Sequence, residues 1–283
     1  MSTDSQYNGD FFDGITQTSR DSAQQIVPLI VNLLQPRSVV DIGCGTGLWL
    51  ATFRQHGIHD ILGIDGPWVQ PDRLQIPREC FRSVDLGATD FKSDRHFDVA
   101  ISLETAEHLA PQRADDFVEA LTSFAPVVVF SAAIPFQGGT SHLNEQWPDY
   151  WVERFRRRGY EPIDCIRPRV WNDHKVAWWY AQNTLLFATA QSIARNERLQ
   201  TETAASPQSP LALVHPGLYQ QVVTDFHNSL RRSGTRRWFH AASAGYSALR
   251  RYLTGDSARP HSSRVSVGQG HRVQVTRMSS EDR

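Results

Sequence analysis

Four acids in the first half of this chain, Asp41, Asp65, Asp85 and Glu104, each close a short apolar run. Between the first two lies Gly43-Cys44-Gly45-Thr46-Gly47, a turn with glycine at alternate positions. Glycine there lets the backbone bend sharply and approach a ligand where a Cβ would clash. A ligand over such a turn meets backbone N–H groups and the positive end of the helix that follows. Asp41 adds a carboxylate beside the turn, which suits an adenosine-type cofactor with a positive group better than a bare pyrophosphate. A dinucleotide fingerprint has the spacing G-x-G-x-x-G. The spacing here is G-x-G-x-G, which disfavours NAD and an oxidoreductase.

The elements that must position these acids can be read in order. Residues 1–21 are polar with isolated aromatics and read as a loop or short cap; Ser19 or Asp21 can cap the helix that follows. Ile26, Leu29, Ile30, Leu33 and Leu34 recur at helical spacing, with Pro28 marking a start or a kink and Pro36 the end. Strands are expected at 38–42, 60–65, 81–86, 97–103 and 127–131, and helices at 48–56 and 111–124. Pro148 opens another helix, closed by Gly159, and strands at 160–166 and 183–188 form an antiparallel pair at a sheet edge. Such alternation gives an α/β, doubly wound, mostly parallel sheet with helices on both faces. Ligands bind outside the carboxyl ends of its strands, where all four acids fall. Asp65 stands 18 positions after Gly47, near the distance at which an acid reaches ribose hydroxyls in such folds.

Composition narrows the function classes. The apolar share of 40% supports a real core, and a formal net charge of −1 supplies no field toward nucleic acid or a membrane surface. Cys44, Cys80 and Cys165 are too few and too scattered for a disulfide framework, which fits a reducing, cytoplasmic setting. The polar N-terminus argues against a signal peptide, and no stretch approaches a membrane span. Residues 193–212 read as a linker, and 218–253 as helices of a C-terminal extension. Residues 256–283 are poor in apolar side chains and read as a disordered, basic tail.

The runs Val39-Val40-Asp41-Ile42-Gly43-Cys44-Gly45-Thr46-Gly47, Gly63-Ile64-Asp65, Val84-Asp85-Leu86 and Phe97 to Glu104 resemble the class I S-adenosylmethionine-dependent methyltransferases. The resemblance covers about residues 22–190, which places a methyltransferase domain at 22–192, and it implies a Rossmann-like sheet of seven strands. It also implies roles. Asp41 and the Gly43, Cys44, Gly45 and Gly47 turn hold the methionine end of S-adenosylmethionine, and Asp65 binds the ribose hydroxyls. Asp85 and Leu86 face adenine, and Leu103 and Glu104 line the methyl-donor pocket. Later segments, such as His142 to Trp147 and Trp178 to Asn183, look like a bacterial subgroup acting on small molecules or glycans.

Methyl transfer from a sulfonium asks the protein to place the acceptor and remove its proton. A hydroxyl acceptor usually needs a base or a metal, whereas a neutral amine needs neither. His142, in the loop after the fifth strand, suits a general base. It reads equally as a hydrogen-bonded loop histidine, and Asn144 and Glu145 orient it, contact the acceptor or cap the next helix. Glu104-Thr105-Ala106-Glu107-His108 resembles the metal-binding E-x-x-E-H motif of small-RNA and ubiquinone-pathway O-methyltransferases. With His142 it offers Glu104, Glu107, His108 and His142 to a divalent cation, which would lower a hydroxyl's pKa. The same motif occurs in methyltransferases without metal, with His108 packed beneath the loop. The expected function is methyl transfer to a hydroxyl of a small molecule or glycan. The alternatives are N-methylation of a small amine and a non-catalytic, cofactor-binding partner protein.

Overall fold

A computed structural model describes residues 9–87, 91, 95–206 and 211–232. The chain divides into two compact units, Met1–Phe226 and His227–Arg283, and the acids above all belong to the first. Its centre is a seven-stranded sheet built from β1 (Ser38–Ile42), β2 (Asp60–Asp65), β3 (Phe81–Ser83), β4 (Val99–Leu103), β5 (Val127–Ser131), β6 (Tyr160–Ile163) and β7 (Leu185–Thr189). The strands lie in the order β3-β2-β1-β4-β5-β7-β6. Pairings from β3 to β5 are parallel, and β7 is antiparallel to both β5 and β6. The expected antiparallel pair is therefore present at the edge. Strand order reverses between β1 and β4, which opens a crevice at their carboxyl ends.

β1, β4 and β5 are buried along their whole length, as parallel strands covered on both faces must be. α1 (Gly9–Leu34) and α2 (Leu48–Gln55) cover one face through Ile26, Ile30, Leu50 and Phe53. α3 (Ala114–Phe124) and α4 (Pro148–Arg156) cover the other through Phe117, Leu121, Trp151 and Phe155. Short helices α5 (Arg167–Val170) and α6 (Trp178–Asn183) lie between β6 and β7. Among the described residues, no helix is long and apolar enough to cross a membrane.

Several boundaries differ from the expectation, each for a local reason. α1 begins at Gly9, where a loop to residue 21 was expected, and it runs through Pro28 without stopping. Tertiary contacts outweigh its polar composition: Ser19 Oγ meets Tyr180 Oη at 3.2 Å, and Ser22 Oγ accepts from the Ala177 N–H at 3.0 Å. Burial of Ile26, Val27 and Ile30 offsets the one hydrogen bond that Pro28 removes. β3 stops at Ser83, so Asp85 lies just past a strand rather than in one, although Val84 still donates to the Asp65 carbonyl. The expected linker at 193–212 is helical in its first part, as α7 (Ala190–Arg195) and α8 (Glu197–Ala205). Asn196 caps α8 by accepting from Arg198 and Leu199, and Leu199 is buried. α9 (Pro216–Arg232) matches the helix expected over 218–230. The expectations for Trp238 to Leu253 and for the basic tail lie outside the described residues.

Candidate active site

The glycine turn is shaped by what surrounds it. Gly43, Gly45 and Gly47 have φ of +87°, +53° and +80°, a region that favours glycine. A Cβ on Gly43 would stand 2.2 Å from Thr105 Oγ1, in the loop after β4. Gly45 faces open space. Asp65 secures the turn: one carboxylate oxygen accepts from the Gly45 N–H at 2.7 Å, the other from the Gly66 N–H at 2.6 Å. Trp68 also bonds to this carboxylate, which leaves it one lone pair for a further donor. Cys44 points the other way, its Sγ against Gly63, and burial pushes its thiol well up. Its side chain is structural, and only its backbone belongs to the turn.

Asp41 is buried in β1; burial, and then the charge of Asp65, hold its carboxyl well above the usual range. Leu103 is buried at the end of β4, and Glu104 follows with φ of +51°. Asp85 is exposed, its Oδ1 accepting from the Gly87 N–H at 2.9 Å. Leu86 is buried in the cluster that contains Ile64 and Phe91. Trp68, which the sequence did not single out, lies against Gly66 and bonds to Asp65.

Glu104 sits in a cradle of amides. Gln137 Nε2 donates to Glu104 Oε2 at 2.7 Å, and Asn183 Nδ2 to Oε1 at 3.0 Å. Asn183 also donates to Gln137 Oε1 at 2.9 Å, and Gln182 to Asn183 Oδ1 at 2.9 Å. Burial raises the Glu104 carboxyl, and the bonds from Asn183, Ser131 and Gln137 oppose that. Sequence reading missed Gln137 and Gln182, because amides converging from a loop and a helix end leave no spacing signature. Tyr180 stands nearby, edge-on to Trp49 at 5.1 Å, its hydroxyl pushed up to about 12 by burial.

Glu107, His108 and His142 form a separate group, each offering a donor atom within 4.8 Å of the others. The expected fourth member, Glu104, is not in it, because the amides hold its carboxylate. Both Glu107 oxygens and His108 Nδ1 are buried and make no hydrogen bond of normal geometry, although the backbone of Glu107 and of Ala133 acts on the carboxyl against the effect of burial. Burial, and then the charge of Glu104, raise the Glu107 carboxyl well above its ordinary value. Burial, and then His142, bring His108 down to about 4, so its imidazole is neutral near pH 7. The 142–144 loop is pinned to this group, since Leu143 and Asn144 donate to the Glu107 carbonyl at 2.8 and 3.0 Å. Glu145 is a three-way clamp: it accepts from Phe136 and Gly138 N–H, both at 2.8 Å, and meets His142 Nδ1 at 2.9 Å. It orients the histidine instead of capping α4, whose N-cap is Trp147.

A glycine turn and strand-end acids at the reversal of a doubly wound sheet define a nucleoside-cofactor-binding α/β protein. Residues 16–182 match a family model described as a methyltransferase domain, which is more than half of the chain. The chain therefore belongs to that family, within the class I S-adenosylmethionine-dependent methyltransferases. A search of curated proteins found no match. Among solved structures it is similar to an O-methyltransferase family protein from Burkholderia thailandensis, with 15% identity and a TM-score of 0.47 over 64% of this chain and 58% of that one. Streptomyces venezuelae DesVI gives 14% and 0.46 over 64% and 95%. Human N-acetylserotonin methyltransferase, solved with S-adenosylmethionine, gives 13% and 0.45 over 63% and 55%. This chain thus spans less than two thirds of the Burkholderia protein's length.

Proposed function

We propose that the chain transfers the methyl group of S-adenosylmethionine to a hydroxyl of a small molecule or glycan. The observation that carries this reading is the Glu107–His108–His142 group, with Glu107 buried and both histidines half-buried, whose unpartnered oxygens and ring nitrogen stand in the loops beside Glu104. A neutral amine would need no such group. Asp41, Asp65 and Glu104 are buried acids around the crevice. They favour a cationic donor, with Asp65 on the ribose hydroxyls and Glu104 beside the sulfonium.

One carboxylate and two imidazoles fit a divalent cation, and unsatisfied buried donor atoms are what an ion site presents without its ion. Glu107, His108 and His142 would hold it. A bound cation would lower the pKa of an acceptor hydroxyl. With its proton released to solvent, the acceptor oxygen would bond to the methyl carbon as the carbon–sulfur bond breaks, and the donor would leave as a neutral thioether. A second reading rests on the His142–Glu145 bond. With Nδ1–H held by the carboxylate, His142 presents the unprotonated Nε2 as a base and takes the hydroxyl proton directly. A chelator separates the two. In an acceptor screen with labelled cofactor, EDTA abolishes turnover under the cation reading, and added Mg²⁺ or Mn²⁺ restores it. Unchanged turnover refutes the cation and leaves the base. Labelling confined to amines refutes hydroxyl transfer.

Asp41 gives a pH dependence with a definite sign. Its pKa is raised in the folded protein, so the stability from its neutral form is present below the ordinary value of 3.8 and lost as pH rises through the raised value. A cofactor ammonium beside Asp41 favours the carboxylate instead. The thermal stabilisation given by S-adenosylmethionine therefore grows as pH rises from the ordinary carboxylate range toward the raised value, and binding releases a proton. A shift in melting temperature that is flat over this range, with no proton release in calorimetry, removes Asp41 from the site.

A further inference from the structure

We infer that the start of the C-terminal extension is part of the methyl-donor pocket, with His215 as a positioning residue for Glu104. The inference rests on the reading above, in which Glu104 stands beside the donor's sulfonium. Gly217 N–H donates to His215 Nδ1 at 3.0 Å, so Nδ1 is an acceptor and the proton is on Nε2. Nε2 is 2.8 Å from the Trp171 carbonyl and donates to it. The imidazole thus holds its own backbone in one conformation and ties it to the end of α5, with the rings of Trp171 and His215 4.8 Å apart. In that conformation the His215 N–H reaches Gln182 Oε1 at 2.8 Å.

Gln182 passes the constraint on. With its oxygen held by His215, its amide nitrogen must face Asn183 Oδ1, at 2.9 Å, and Gln137 Oε1, at 3.3 Å. That fixes which way both neighbours point, and leaves the nitrogens of Asn183 and Gln137 to donate to the two oxygens of Glu104. Were Gln182 free to turn over, its oxygen would face theirs, and the cradle would lose its order. A carboxylate held by oriented neutral dipoles, the two amides and Ser131, keeps its charge available to a cation. His215 acts on the charge of the pocket through two intervening side chains and touches no reacting atom.

The test is calorimetric titration of the full chain with S-adenosylmethionine and with S-adenosylhomocysteine, whose sulfur is neutral. His215→Ala is expected to weaken S-adenosylmethionine binding about tenfold, or roughly 1.4 kcal/mol, and S-adenosylhomocysteine binding less than about twofold. His215→Asn, whose side-chain oxygen can still accept from Gly217 N–H, is expected to restore the ratio. Gln182→Met should change the ratio as His215→Ala does, and the double variant should be no worse than Gln182→Met alone. An unchanged ratio in both single variants, or equal loss of both ligands, overturns the role of His215 and leaves the donor site standing. Failure of the unaltered protein to bind either ligand overturns both.

Discussion

His142→Ala lowers methyl transfer at least about 100-fold, the usual span for loss of a group that handles the acceptor proton. Affinity for S-adenosylmethionine stays within about twofold, because the turn, Asp41 and Asp65 are held by contacts that do not include this side chain. Single-turnover assays beside calorimetry measure the two effects separately. The expectation follows from two contacts: His142 is edge-on to His108 at 4.9 Å and bonded to Glu145. Under the cation reading the variant loses a ligand, and under the base reading it loses the base. A loop histidine with only a packing role would behave otherwise, its activity falling only as far as stability falls. Glu145→Gln keeps one acceptor oxygen and much of the loop. It is expected to lower turnover less than His142→Ala does, with the cofactor still bound.

Asp164→Ala destabilises the chain by about 3–5 kcal/mol, the range for stranding one charge of a buried pair. Arg167 and Asp164 have side chains 1% and 3% exposed, and two guanidinium nitrogens bond the carboxylate at 2.9 and 2.6 Å. The remaining nitrogen donates to the carbonyls of Gln182 and Leu211, at 3.2 and 2.8 Å. With the carboxylate gone, the guanidinium keeps those carbonyls but has nothing to balance its charge. Urea unfolding read by tryptophan fluorescence measures the loss. Arg167→Met with Asp164→Leu is expected to recover much of it, since an apolar pair of similar volume often replaces a buried ion pair at little cost. The double variant still lacks the link to Leu211 and Gln182, so the segment after residue 210 is expected to become more open to proteolysis.

The parallel half of the sheet was legible because its strands are short apolar runs that end in acids, and burial on both faces permits little else. The glycine turn was legible because positive φ at alternate positions favours glycine. What could not be read depends on partners distant in sequence. Nothing in Ser19 or Ser22 announces a contact with residues 177 and 180, so α1 begins earlier than its polar sequence suggests. The amides on Glu104 come from residues 137 and 183, and only the folded chain shows that they divert Glu104 from the Glu107–His108–His142 group. The helical character of 193–205 was hidden because one asparagine cap and one buried leucine decide it against a polar composition.

Calorimetric titration of the unaltered chain and of Asp65→Ala with S-adenosylmethionine tests the donor site most directly. The unaltered chain should bind one equivalent and give no heat with NAD. Asp65→Ala should weaken binding by at least about 100-fold, as expected for loss of two hydrogen bonds to a charged acceptor. Heat with NAD alone, or undiminished S-adenosylmethionine affinity in Asp65→Ala, would contradict it.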